Sequence, residues 1–140
     1  MSMLFEITPE VDIHEMSPLA LAFVGDAVLE LLVRGKLVGT TRLQPNRLHT
    51  VATHYVSARA QSRELEILEP LLTEQEAAVL RRGKNASKAT VAKHATVQEY
   101  RASTGLECLL GWLYLQGRGS RIQELFDALW AGYDPDRPAT

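Results

Sequence analysis

Two stretches of this 140-residue chain are apolar almost all the way round a helix, and each carries a carboxylate in its middle: Asp26 in LALAFVGDAVLELLV and Glu107 in STGLECLLGWLYL. A helix that is hydrophobic on every side belongs in the centre of a packed domain, so the pattern predicts two central helical pillars. An ion buried there alone is costly; a carboxylate among apolar residues is normally paired with a cation, hydrogen-bonded or bound to a metal. Glu30 has a simple answer in Arg34, one turn further on. Asp26 does not, because its own i+4 neighbour is Glu30, another acid. Ion pairing and a metal-binding or catalytic role both stay open for Asp26.

The rest of the chain reads as helices around these pillars. Ser17 followed by Pro18 is a helix start, Ser17 accepting from the first free N–H groups and Pro18 having no donor to lose, and the first pillar should reach about Leu37. A second helix opens at Pro45 and stops or bends near Ser57; a third segment covers Ala58 to Leu72, with Pro70 cutting it short. Thr73 with Glu76 has the capping-box spacing for a short helix that should stop at Gly83. From Lys84 to Ala95 periodicity is lost and a basic loop is expected. Thr96 opens the second pillar, ended by Gly117 and Gly119 near Gln116. Ser120 with Gln123 repeats the capping-box spacing for a last amphipathic helix, after which YDPDRPAT reads as a frayed tail. No strand pattern is visible. The expectation is one all-α domain over residues 1–140, with its core in about 17–130 between a flexible N-terminal segment and the tail.

A single cysteine, Cys108, allows no disulfide within the chain and fits a reducing, cytoplasmic setting; inside an apolar helix it reads as a small core residue. No apolar run reaches the roughly 18 residues of a membrane span, and the acidic N-terminus is unlike a targeting segment. The net charge of −2 hides an uneven distribution. Between Glu30 and Glu64 every Asp, Glu, Lys or Arg is basic, and so is every one between Glu76 and Glu99: Arg81, Arg82, Lys84, Lys88 and Lys93. A cationic face for a polyanion and simple solvated loops are both compatible with this.

Glycines flank both acids, Gly25 before Asp26, with Gly105 and Gly111 around Glu107. Glycine inside a helix costs about 1 kcal/mol relative to alanine, so its presence suggests close backbone packing, with the two pillars crossing near their acids. Asp26 and Glu107 on facing helices would form an oxygen-rich site suited to Mg²⁺, which keeps several waters and takes one or two carboxylates. The four histidines and Cys108 show no zinc spacing. GRGS at 117–120 lacks the lysine and the preceding strand of a phosphate-binding loop.

Taken in order, LALAFVGDAVLELLVR, LHTVATHYVSARAQ, RRGKNASK and YRASTGLECLLGWLYL resemble the ribonuclease III catalytic domain, and most closely the short form of that family, over roughly residues 17–130. Gly25 and Asp26 match the Gly-Asp pair of its signature helix. Glu107, Cys108, Leu109, Leu110 and Gly111 match its second acidic helix, with Cys in place of Ala, and Arg82 to Ala86 match its basic RGxNA-like segment. Two carboxylates of the longer enzymes are replaced by Ala22 and Thr104. The resemblance implies an all-α endonuclease-domain fold, a homodimer, and Mg²⁺ held by the catalytic pair Asp26 and Glu107, with Glu30 and Thr104 as candidates to support the site from behind. It further implies cleavage of double-stranded RNA to 5′-phosphate and 3′-hydroxyl ends, in the maturation of large-subunit (23S) ribosomal RNA precursor, with ribosomal proteins on the precursor as candidate partners. RNA contacts would come from Arg81, Arg82, Lys84, Asn85, Lys88 and Lys93, since no double-stranded-RNA-binding domain is expected to follow. Ala22 and Thr104 keep a rival open, a catalytically silent RNA-binding homodimer of the same fold; a helical protein-interaction module is a third reading.

Overall fold

The computed structural model describes residue 5, residues 7–87 and residues 95–136. Among these there are six α-helices and no strand: α1 (Pro18–Thr40), α2 (Pro45–Val56), α3 (Ala58–Leu68), α4 (Glu74–Ala86), α5 (Val97–Leu115) and α6 (Gly119–Gly132), with single 3₁₀ turns at Ile13–Glu15 and Glu69–Leu71. The all-α expectation holds. α5 is the axis of the domain, packed against α1, α3, α4 and α6. Its Leu106, Leu109 and Leu113 have no exposed surface, and they meet Leu29 and Val33 of α1 and Leu125 and Leu129 of α6 in one continuous core.

The helix starts follow the polar residues that precede them. Ser17 Oγ accepts from Ala20 N–H at 3.1 Å, and Ser57 Oγ accepts from Ala60 N–H at 3.1 Å. Thr73 and Glu76 close the expected capping box on α4, and Thr96 and Glu99 close a second one on α5. Pro70 ends α3 in a 3₁₀ turn, as expected.

Four expectations need correction. α1 continues past Leu37 to Thr40. α4 runs through Gly83 to Ala86, because Gly83 serves close packing and not a turn: a Cβ there would stand 2.6 Å from Cys108 Cβ. The Ser120–Gln123 capping box does not form; the chain turns at Gly117, φ +72°, and helix begins at Gly119, leaving Ser120 inside it. The tail is not frayed at its start, since Tyr133 O–H donates to the His54 carbonyl at 3.0 Å and its ring meets Tyr55 edge-on. Residues 137–140, and most of the basic loop (88–94), lie outside the described residues.

α1 is also less enclosed than its composition suggests. One side is buried through Leu21, Leu29, Val33 and Leu37, but Leu19, Phe23, Leu31 and Val38 are exposed on the other, Phe23 to 82%. Asp26 lies on the open part of the helix and is exposed, so the burial penalty anticipated for it falls on Glu107 instead.

Candidate active site

The two pillars cross where glycines remove the side chains that would hold them apart. A Cβ on Gly25 would stand 1.6 Å from the Glu107 carbonyl oxygen, and one on Gly111 would stand 1.9 Å from that of Leu21. This contact brings the side chains of Asp26 and Glu107 within hydrogen-bonding reach of each other. The pillars do cross at their acids, and Gly25 and Gly111 are the reason. Gly105, the third glycine, faces α4 and leaves room for Leu80 and the stem of Lys84.

Glu107 is held from its buried side by a residue that sequence reasoning missed. Gln61 of α3, 1% exposed, donates from Nε2 to Glu107 Oε2 at 2.9 Å and to the Val56 carbonyl at 3.0 Å. A signal was available: Gln61 lies four residues before Leu65 and seven before Leu68, in register with the buried stripe of α3. Burial pushes the Glu107 carboxyl up to about 7; the Gln61 hydrogen bond pulls it down, and the nearby charges of Asp26 and Glu30 push it up again. Glu30 stands close enough to contribute while its Oε2 accepts from Arg34 Nε at 3.0 Å, the expected one-turn pair. Among the described residues no cation is a partner of Glu107.

This donor set suits a hard divalent ion. Among the described residues no group of three or more His, Cys, Asp or Glu side chains converges, which leaves two carboxylates at the crossing. Two is within the one or two that Mg²⁺ takes from a protein while keeping water in its other positions. Cys108, next to Glu107, is buried with its thiol pushed up to about 11, as expected of a core residue.

The other expected residues fall beside this centre. Thr104 is buried, its hydroxyl donating to the Tyr100 carbonyl at 3.0 Å and lying 3.3 Å from Ser87 Oγ at the end of α4. Arg81 and Arg82 are exposed. Lys84 is half-buried, with Nζ 3.9 Å from Glu69. Asn85 Oδ1 accepts from Arg101, which also donates from Nε to the Lys84 carbonyl at 3.0 Å, so this arginine of α5 fastens the basic end of α4 in place. Arg101 had not been singled out. Lys88 and Lys93 lie outside the described residues.

A helical scaffold that presents facing carboxylates beside a basic helix end has the layout of a phosphodiester-cleaving domain. The Ribonuclease III domain model matches residues 19–118. With that match over most of its length, the chain belongs to the ribonuclease III family, and it is an endoribonuclease. Its relatives identify the branch: it is 43% identical to Mini-ribonuclease 3 of Enterococcus faecalis, over 83% of this chain and 89% of that protein. It is 46% identical to Mini-ribonuclease 3 of Symbiobacterium thermophilum, over 81% and 87%. A crystal structure of a protein from Fusobacterium nucleatum has the same fold, with TM-score 0.78 and 30% identity over 86% of this chain and 97% of that one.

Proposed function

We propose that this endoribonuclease cleaves double-stranded RNA with Mg²⁺ held by Asp26 and Glu107, leaving 5′-phosphate and 3′-hydroxyl ends, and that its cellular task is trimming the large-subunit (23S) ribosomal RNA precursor in the cytoplasm. The observation that carries the reading is the pairing of Asp26 and Glu107 across the Gly25–Gly111 contact, with no basic side chain of the described residues among the partners of Glu107. Two carboxylates held together without a cation retain a strong attraction for one. Bound there, Mg²⁺ supplies Lewis acidity toward the scissile phosphate and the attacking water. The protein's part is to hold the pair: Asp26 from the open side of α1, Glu107 from the buried side through Gln61. Arg81, Arg82 and Lys84, with Lys88 and Lys93, would hold backbone phosphates of the duplex, whose deep A-form major groove admits recognition by shape more than by base edges. Gly83 against Cys108 keeps that basic helix end one residue from Glu107.

A duplex has two strands, and the exposed stripe of α1 supports two copies of the chain. Leu19, Phe23, Leu31 and Val38 share one face at helical spacing, and a groove of about 250 Å³ lined by Leu37, Val38, Pro45 and Leu48 opens beside it. Pairing there would put two sites on one particle, one for each strand.

The test is incubation of a duplex RNA with the protein, with and without Mg²⁺, beside Asp26→Asn. Cleavage that needs both Mg²⁺ and Asp26 is expected. Tight binding with no cleavage under any condition would favour the silent RNA-binding homodimer to which Ala22 and Thr104 point.

A further inference from the structure

Gln61 is the least expected member of the site. It is a buried neutral amide on α3, a helix that contributes no charge to the crossing, and both its N–H groups are spent: one on the Val56 carbonyl, the other on Glu107 Oε2. A backbone carbonyl can only accept, so the atom facing Val56 must be nitrogen, and the same nitrogen faces Glu107. The main chain at the α2–α3 junction thus requires the same orientation of the amide that the carboxylate does. The other end of the amide, Oε1, is buried without a donor. An unsatisfied buried acceptor costs roughly 1–3 kcal/mol, and that cost is tolerated where the nitrogen is needed.

We infer that Gln61 is a positioning residue for Glu107: anchored to the Val56 carbonyl, it fixes one carboxylate oxygen from behind and leaves the other oriented toward Asp26 and a divalent ion. This rests on the two-carboxylate reading above. The neutrality of the amide is part of its fitness. An arginine or lysine in its place would occupy the carboxylate with a full positive charge and compete with the metal, whereas an amide donor orients it without neutralising it. Without Gln61, Glu107 would be free to rotate, and a partly buried carboxylate would have lost its one hydrogen-bond donor among the described residues.

The test replaces Gln61 by methionine, similar in length and without a donor, in the full chain. Mn²⁺ is titrated into the RNA-free protein and followed by spin resonance of the free ion, with Mg²⁺ as competitor, and cleavage of a duplex RNA is measured alongside. Gln61→Met is expected to weaken Mn²⁺ binding and lower kcat by about 10- to 100-fold, the range for groups that support metal ligands, with KM for RNA within about twofold. In a Glu107→Gln background the same change should cost no further Mn²⁺ affinity. Wild-type Mn²⁺ affinity and kcat in a folded Gln61→Met protein would overturn the inference, as would an equal loss in both backgrounds. Should Gln61→Met not fold, Gln61→Asn keeps the amide but shortens its reach, and wild-type values there would overturn it equally. Asp26→Asn and Glu107→Gln distinguish the parent reading: if they bind Mn²⁺ and cleave like wild type, the metal site itself is wrong, whereas loss in these two beside wild-type behaviour in Gln61→Met removes only the role of Gln61.

Discussion

Glu76 and Glu107 are both carboxylates drawn into the interior of the domain, and they have opposite company. Glu76, with no exposed surface, closes the capping box of α4 and meets the Arg121 guanidinium through both oxygens, at 2.8 and 2.9 Å; Arg121 in turn donates to the Leu71 carbonyl and to Glu124. Arg121 holds the Glu76 carboxyl below its usual range, chiefly through these hydrogen bonds. Both oxygens of Glu76 already face a cation, so the group ties α4 to α6. Glu107 meets a neutral amide behind it and two acids in front, and is pushed up to about 7. Burial is common to both; the difference is that a guanidinium neutralises Glu76, while Glu107 meets an amide and two acids.

The largest effect should come from breaking the saturated member. Arg121→Ala strands Glu76 as a buried charge and is expected to cost about 3–5 kcal/mol of stability, read as a shift of the urea midpoint. Replacing Glu76 and Arg121 together by methionine should recover most of it. A similar recovery is not expected at the other site: Asp26→Asn should leave the urea midpoint near wild type while lowering cleavage by about 100- to 1,000-fold, as for loss of a preorganised electrostatic group.

A third buried carboxylate sharpens the contrast through pH. Glu64, one turn along α3 from Gln61, has no exposed surface, and neither of its oxygens has a partner among the described residues. Burial pushes it from 4.5 up to about 9. The folded state keeps a proton that the unfolded chain releases, so this group lowers stability as pH rises between about 4.5 and 9. Glu76 works the other way: its lowered value gives stability above 4.5 that is lost as pH falls. Glu64→Leu should therefore raise the melting temperature more at pH 8 than at pH 4: removal of an unsatisfied polar group is worth about 1–3 kcal/mol at either pH, and the cost of holding a proton is added only as pH rises above 4.5. Equal gains at both pH values would show that Glu64 stays charged or finds a partner. The smallest effect is expected at the surface: Arg82→Ala should lower the slope of log affinity for duplex RNA against log salt by about one, with stability unaltered.

Much of the fold was legible because local signals and tertiary packing agree. Ser17–Pro18, Pro45, Thr73 and Thr96 start helices where their side chains or rings favour it, and Pro70 ends one. Gly83 and Ser120 misled for one reason: each has a local preference that a neighbouring element overrides, Gly83 by pressing on Cys108 and Ser120 by the turn at Gly117 that starts α6 two residues earlier. In the site, Asp26 and Glu107 could be read because acids stand out in apolar helices, and their glycines foretold the crossing. Gln61, Arg101 and Arg121 could not be assigned partners, since their interactions span 46, 16 and 45 residues of chain.

The amino-acid order alone thus determined which segments become helices, which two of them carry an acid amid apolar residues and that Asp26 has no base one turn on, because these depend on periodicity and capping within a few residues. Only the folded domain decided that Asp26 is open and Glu107 enclosed, that an amide stands behind Glu107, and that Glu76 is neutralised by Arg121. Each of those outcomes depends on which faces of distant helices meet, and a carboxylate's role follows from the charges brought to it across that distance.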